Sequence, residues 1–234
     1  STFIAGALSA RQTGVAPLGS VSQMAHIRLG TREEGRNPLI KDFAPLASLD
    51  DIVFGGWDPI SANALEAART CGVLEEKDLS PIAQELEGVV AMDAVFDQTW
   101  VSRLEGTRVK SETNKWDQAM ALMADIENFK VENGCDRLVM VWCGSTEAFQ
   151  EPSAVHETVA AFEQGLKDND DNISPSQIYV YAALQSDVPF ANGAPNLSTD
   201  LPCMQELSHT RGVPIAGKDF KTGQTLMKTL LAPG

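Results

Sequence analysis

Arg137-Leu138-Val139-Met140-Val141-Trp142, running into Cys143-Gly144-Ser145-Thr146, is an apolar stretch without alternation that opens into a turn of small residues. A run lacking the period-two pattern suits a central parallel strand covered on both faces. Immediately upstream, Gly134 closes a helix predicted over Trp116 to Asn133, in which Met120, Met123, Ile126 and Phe129 recur at helical spacing. Helix, strand and small-residue turn in that order are one unit of an open α/β sheet, in which ligands sit beyond the carboxyl ends of the strands.

Working outward, the same alternation recurs. Helices are predicted over Ser1 to Arg11, from a Ser61 cap to Cys71-Gly72, and over Leu79 to Gly88, Ser153 to Lys167, Pro175 to Gln185 and Leu201 to Thr210. The Pro175 helix rests on Ser174-Pro175-Ser176-Gln177, a capping box with proline at the first helical position. Strands are predicted at Ile52 to Gly56, Val89 to Phe96 and Val213 to Ala216, with Val101 to Asn114 as a polar connector. Val188 to Asp200 reads as a short apolar segment leading into a turn dense with amide and small residues. A last helix, Thr222 to Ala232, is stopped by Pro233.

Composition bounds the function classes. The chain has 234 residues, 43% of them hydrophobic, enough for one good core or one core and part of another. Its net charge of −14 argues against nucleic acid or an anionic membrane as the main partner. No stretch approaches the ~18 uninterrupted apolar residues of a membrane span, and Thr2 to Leu8 is too short for a secretory signal and lacks a basic flank. Cys71, Cys135, Cys143 and Cys203 lack paired zinc spacing, so no metal site is expected from them, and a reduced cytoplasm fits the chain best.

Four segments carry candidate chemistry. In Gly55-Gly56-Trp57-Asp58 the glycines leave room for a cofactor and Asp58 can accept from ribose hydroxyls; the alternative is an acid at a helix entry. Cys143-Gly144-Ser145-Thr146 presents small residues where a nucleotide ring lies close to backbone, or is only a strand-to-helix turn. Asn192, Gly193, Asn196 and Ser198 supply amide, backbone and hydroxyl donors suited to a phosphate, or form a plain turn. Asp219, Lys221 and Lys228 flank the start of the last helix, where anions are favoured, or belong to a solvated surface. Cys143 at a strand end also fits a thiol nucleophile, although no motif ties His26, His156 or His209 to it.

Taken together, Val53-Phe54-Gly55-Gly56-Trp57-Asp58 with Ser61-Ala62-Asn63, Asp125 to Lys130 leading to Trp142-Cys143-Gly144-Ser145-Thr146-Glu147, the Asn192-Gly193-Ala194-Pro195-Asn196 turn and Ile215 to Lys228 resemble the myo-inositol-1-phosphate synthase family, in family order. The resemblance implies a Rossmann-type doubly wound parallel sheet over residues 1–210 and the start of a second, α+β catalytic and tetramerisation domain over 211–234. It implies NAD as cofactor, held by Gly55, Gly56, Asp58, Cys143, Gly144, Ser145 and Thr146. It implies glucose 6-phosphate as substrate, its phosphate held by Asn192, Gly193, Ala194, Asn196 and Ser198. Lys228 and Lys221 become the cations facing developing oxyanions, with Asp219 orienting a lysine or touching the nicotinamide side. Dependence on a divalent metal or a monovalent cation stays open.

Two departures stand out. Ala194 occupies a position where many family members carry serine, and Leu226 one where some carry lysine. The resemblance further implies that a strand and glycine-rich loop precede position 1 and that the assembly domain continues past 234. Outside this family, the same residues fit an NAD-dependent dehydrogenase of a phosphorylated sugar or semialdehyde, or a non-catalytic ligand-binding or assembly module.

Overall fold

A computed structural model describes residues 2–17 and 20–219. The elements run α1 (Thr2–Thr13), α2 (Val21–Met24), α3 (Ile40–Phe43), α4 (Ala64–Cys71), α5 (Glu76–Leu79), α6 (Ala83–Gly88), α7 (Lys115–Glu132), β1 (Met140–Trp142), α8 (Val159–Lys167), α9 (Pro175–Gln185), β2 (Phe190–Asn192), α10 (Pro202–Arg211) and β3 (Ile215–Ala216). They form two compact units, residues 1–92 and 93–234. The predicted Thr222 helix lies outside the described residues.

In the first unit, α1, α4 and α6 enclose Ala5, Leu8, Leu65, Ala68, Leu79, Ile82 and Leu86. Arg11 leaves α1 to donate to the carbonyls of Leu49 and Ile52, and its guanidinium lies over the Phe54 ring. This guanidinium ties the helix to the extended segment that leads to Gly55. The cap of α4 is Asn63 rather than Ser61: its side chain accepts from Glu66 N–H and the Glu66 carboxylate accepts from Asn63 N–H. The predicted helix over Leu79 to Gly88 is broken by a 3-10 turn at Ser80–Ile82, where Pro81 has no N–H to continue the ladder. Among the described residues the predicted strands at Ile52 to Gly56 and Val89 to Phe96 form no ladder of successive pairs: Trp57, just after the first, bridges Met92, and the second makes only isolated bridges, Val90 with Asn63, Met92 with Trp57 and Ala94 with Val109.

The second unit carries a parallel sheet of order β1-β2-β3, with Met140 opposite Phe190 and Phe190 opposite Ile215. The central strand is β2, which the sequence reading took for the approach to a turn. β1 stands at the edge of the described sheet, with Val139 69% and Val141 46% exposed, so the run at Arg137 to Trp142 is not covered on both faces within the described residues. Helix α9 is buried from Pro175 to Leu184, which explains its lack of an apolar stripe. Its tyrosines have partners: Tyr179 Oη accepts from Val95 N–H at 2.9 Å, and Tyr181 Oη donates to Glu163 at 2.9 Å. The predicted helix over Ser153 to Lys167 divides into a 3-10 turn at Ala154–His156 and α8, because Thr158 Oγ1 accepts from Ala161 N–H and starts a new helix there.

Candidate functional site

Parallel strands end on the same side of a sheet, so the segments after β1, β2 and β3 leave it together. Trp142 and Asn192 are register partners at that edge, and Gly193 N–H donates to the Trp142 carbonyl at 2.9 Å. After β3, Gly217 packs on the next strand: a Cβ there would lie 3.0 Å from Asn192 Cβ and 3.2 Å from the Asn192 carbonyl, and its φ of +150° is one that side chains rarely adopt. Thus Cys143 to Thr146, Asn192 to Ser198 and Gly217 to Asp219 converge at one edge. Gly55, Gly56 and Asp58 belong to the first unit. Lys221 and Lys228 lie outside the described residues.

The Asn192 to Ser198 turn is organised by Asn192, which is 2% exposed. Its Nδ2 donates to the Asn196 carbonyl and to Ser198 Oγ, each at 2.8 Å, and its Oδ1 accepts from Ala194 N–H at 2.9 Å. Both amide hydrogens are therefore committed inside the turn. Asn196 Oδ1 accepts from Glu147 N–H at 3.0 Å, whereas Asn196 Nδ2 is buried with no hydrogen-bond partner among the described residues. A buried donor left without an acceptor costs about 1–3 kcal/mol, which a ligand oxygen would relieve. Beside this turn Lys218 Nζ pairs with Asp200 at 2.7 Å, and Asp219 is exposed with a φ of +67°.

The Cys143 to Thr146 segment is exposed. A Cβ on Gly144 would come within 2.7 Å of the Trp142 ring, so glycine lets the backbone pack directly on that ring while the residue itself stays exposed. Packing around the Cys143 sulfur pushes its thiol pKa up, which favours the protonated form and weakens the nucleophile reading. His156, the candidate base nearest in sequence, is engaged elsewhere: its Nδ1 accepts from Ser153 N–H at 3.0 Å and its Nε2 meets Gln177 Oε1 at 3.1 Å. In the first unit Gly56 C=O accepts from Met92 N–H at 2.8 Å, which holds the glycine pair, and the exposed Asp58 accepts from Ile60 N–H at 2.8 Å.

Sequence reasoning missed Glu147, Ser176 and the Lys218–Asp200 pair. Glu147 is 8% exposed, and its carboxylate accepts from Ser176 N–H at 2.8 Å and from Ser176 Oγ at 2.5 Å. Burial pushes its pKa above the usual carboxylate range, against the opposing effect of the Ser176 bonds. The only sequence signal for this contact was the capping box at Ser174, which marked the start of α9 without naming its partner. A cleft of about 210 Å³ adjoins these groups, lined among others by Thr146, Glu147, His156, Gln177 and Asn196. Among the described residues no group of three or more His, Cys, Asp or Glu could hold a metal ion, and no helix is long and apolar enough to cross a membrane.

Comparison with known proteins identifies the family of the chain. The chain is 48% identical over its whole length to inositol-3-phosphate synthase 1 of Bacteroides thetaiotaomicron, covering 54% of that protein. It is 34% identical over 221 residues to inositol-3-phosphate synthase of Citrus paradisi, covering 91% of this chain and 43% of the relative. It therefore spans about half the length of the curated relatives it matches. The crystal structure of inositol-3-phosphate synthase from Caenorhabditis elegans superposes with a TM-score of 0.86 over 97% of this chain and 48% of the other, at 24% identity, which supports the Rossmann-type α/β fold. With an NAD-binding family model described as myo-inositol-1-phosphate synthase matching residues 1–233, the chain belongs to the myo-inositol-1-phosphate synthase family.

Proposed function

We propose that this chain supplies the nucleotide turns, the phosphate turn and part of the catalytic machinery of an enzyme that converts D-glucose 6-phosphate to 1L-myo-inositol 1-phosphate. The observation that carries it is the convergence of the Cys143, Asn192 and Gly217 segments at the carboxyl edge of the sheet, in a chain of this family. Residues 1–210 act as the nucleotide-binding domain and 211–234 begin the catalytic and assembly domain of a cytoplasmic homotetramer.

In the second unit the exposed turn of Cys143, Gly144, Ser145 and Thr146 suits a nucleotide ring of NAD, and in the first unit the exposed carboxylate of Asp58, next to Gly55 and Gly56, suits ribose hydroxyls. When bound, NAD supplies a hydride acceptor that later returns the hydride. Asn192 shapes the phosphate turn, and Asn196 Nδ2 and the Ser198 hydroxyl are its side-chain donors, with Gly193 and Ala194 keeping the backbone close. Oxidation at C5 acidifies C6, the enolate attacks the C1 aldehyde, and negative charge appears on two oxygens in turn. Lys228 stabilises one oxyanion and returns a proton, Lys221 supports the other oxygen or the phosphate, and Asp219 orients a lysine. Any divalent metal or monovalent cation would act beside these groups.

Lys228→Ala in the intact gene product is the test. Inositol phosphate formation should fall by about 100-fold or more while NAD affinity is kept. Turnover at the unmodified rate would remove Lys228 from the mechanism, and absence of any inositol phosphate from the unmodified protein would overturn the function.

A further inference from the structure

The two turns that the proposed function assigns to nucleotide and to phosphate meet at the first turn of α9. There Ser176 donates twice to the Glu147 carboxylate, through N–H at 2.8 Å and through Oγ at 2.5 Å. The next residue, Gln177, donates from Nε2 to the Leu197 carbonyl inside the phosphate turn at 3.0 Å. Glu147 N–H then donates to Asn196 Oδ1 at 3.0 Å, closing a ring from the nucleotide turn through α9 and the phosphate turn and back. Glu147, Ser176, Gln177 and Asn196 are 8%, 0%, 4% and 5% exposed, so water does not compete freely for these bonds.

We infer that Glu147 is a positioning residue that couples the two turns, its carboxylate on α9 and its N–H on Asn196 holding the nucleotide turn in register with the phosphate turn. The inference rests on the functional reading above. A ligand that orders one turn orders the other through shared buried bonds, so the second ligand meets a site already arranged; hydrogen bonds in a low-dielectric ring support one another in this way. Asn196 is the meeting point: its Oδ1 belongs to the ring, while its Nδ2, buried without a partner among the described residues, is left for the phosphoryl group.

The test uses the intact gene product, NAD, and glucitol 6-phosphate, which lacks the aldehyde consumed in ring closure. The Kd of glucitol 6-phosphate is measured with and without saturating NAD. In the unmodified protein NAD should tighten it about 10-fold, within the usual range of coupling between sites. In Glu147→Ala the factor should fall to about 1–2, because the ring is open. In Glu147→Gln most of it should remain, since the amide oxygen still accepts from Ser176 N–H and the amide nitrogen can donate to Ser176 Oγ. Ser176→Ala removes one ring bond at little change in volume and should lose part of the coupling with folding unimpaired, which keeps the inference testable if Glu147→Ala does not fold. A merely structural role would lower the melting temperature and weaken both ligands but leave their ratio unchanged. Independent binding in the unmodified protein, full coupling in Glu147→Ala, or equal losses in the Ala and Gln variants would overturn the inference. Failure of the unmodified protein to bind either ligand would instead overturn the functional reading.

Discussion

Asn192→Leu tests the architecture of the phosphate turn directly. The wild-type carboxamide makes three buried bonds, two from Nδ2 and one to Oδ1. Leucine keeps none of them. The Ser198 hydroxyl can rotate to another partner, but the Asn196 carbonyl and the Ala194 N–H are backbone groups that cannot. Each unsatisfied buried group costs about 1–3 kcal/mol, giving about 2–6 kcal/mol in total. Burial of the apolar side chain offsets about 1–2 kcal/mol of this, because γ-branched leucine does not match the planar amide it replaces. A net loss of about 1–4 kcal/mol is expected, read by urea unfolding of the intact gene product. Binding should report a second effect: the turn loses the shape that aims Asn196 Nδ2 and Ser198, so affinity for glucose 6-phosphate should fall by about 10-fold or more, one power of ten per 1.4 kcal/mol, with NAD affinity falling less. Stability within about 0.5 kcal/mol of the unmodified protein, with substrate affinity unchanged, would refute the reasoning.

Gly217→Ala should destabilise the same protein by about 2–5 kcal/mol, since a positive-φ backbone and the Asn192 backbone both resist a Cβ; a loss below about 0.5 kcal/mol in urea unfolding would contradict the packing. Cys143→Ser should leave inositol phosphate formation within about threefold of the unmodified rate, because burial raises the thiol pKa and disfavours the thiolate; abolished turnover with NAD still bound would favour the dehydrogenase reading. Because the folded-state pKa of Glu147 is raised, the folded protein holds a proton that the unfolded chain releases. The contribution of this group to stability is fully present below its ordinary value of 4.5 and is lost as pH rises through its folded value. Glu147→Gln should therefore flatten the stability-against-pH curve over that interval, as seen by urea unfolding at stepped pH, and an unchanged curve would place the proton elsewhere.

Helices were legible in the sequence wherever their signals are local. Helices α7 and α9 fall within a residue or two of the prediction because a spacing of three or four and a Ser-Pro-Ser-Gln cap act over a single turn of chain. The same local logic misplaced the cap of α4 by two residues, since Ser61 and Asn63 are both good caps and only the reciprocal bond with Glu66 selects Asn63. Strands were less legible. Phe190-Ala191-Asn192 is too short to show a period, and its central place comes from partners some 50 residues upstream and 25 downstream in sequence.

The candidate ligand segments were singled out from residue chemistry, because glycines, amides and hydroxyls in a turn after an apolar run suit a ligand as well as a plain turn. By itself the sequence determined the α/β class, the alternation of elements and the segments of interest. The tertiary structure decided which atoms remain available: it commits both amide hydrogens of Asn192 within the turn, leaves Asn196 Nδ2 unpaired among the described residues, and buries Glu147 against Ser176. Sequence states which donors a side chain owns, whereas their availability depends on groups that only folding brings within about 3 Å, such as a carboxylate at position 147 and a helix start at position 176.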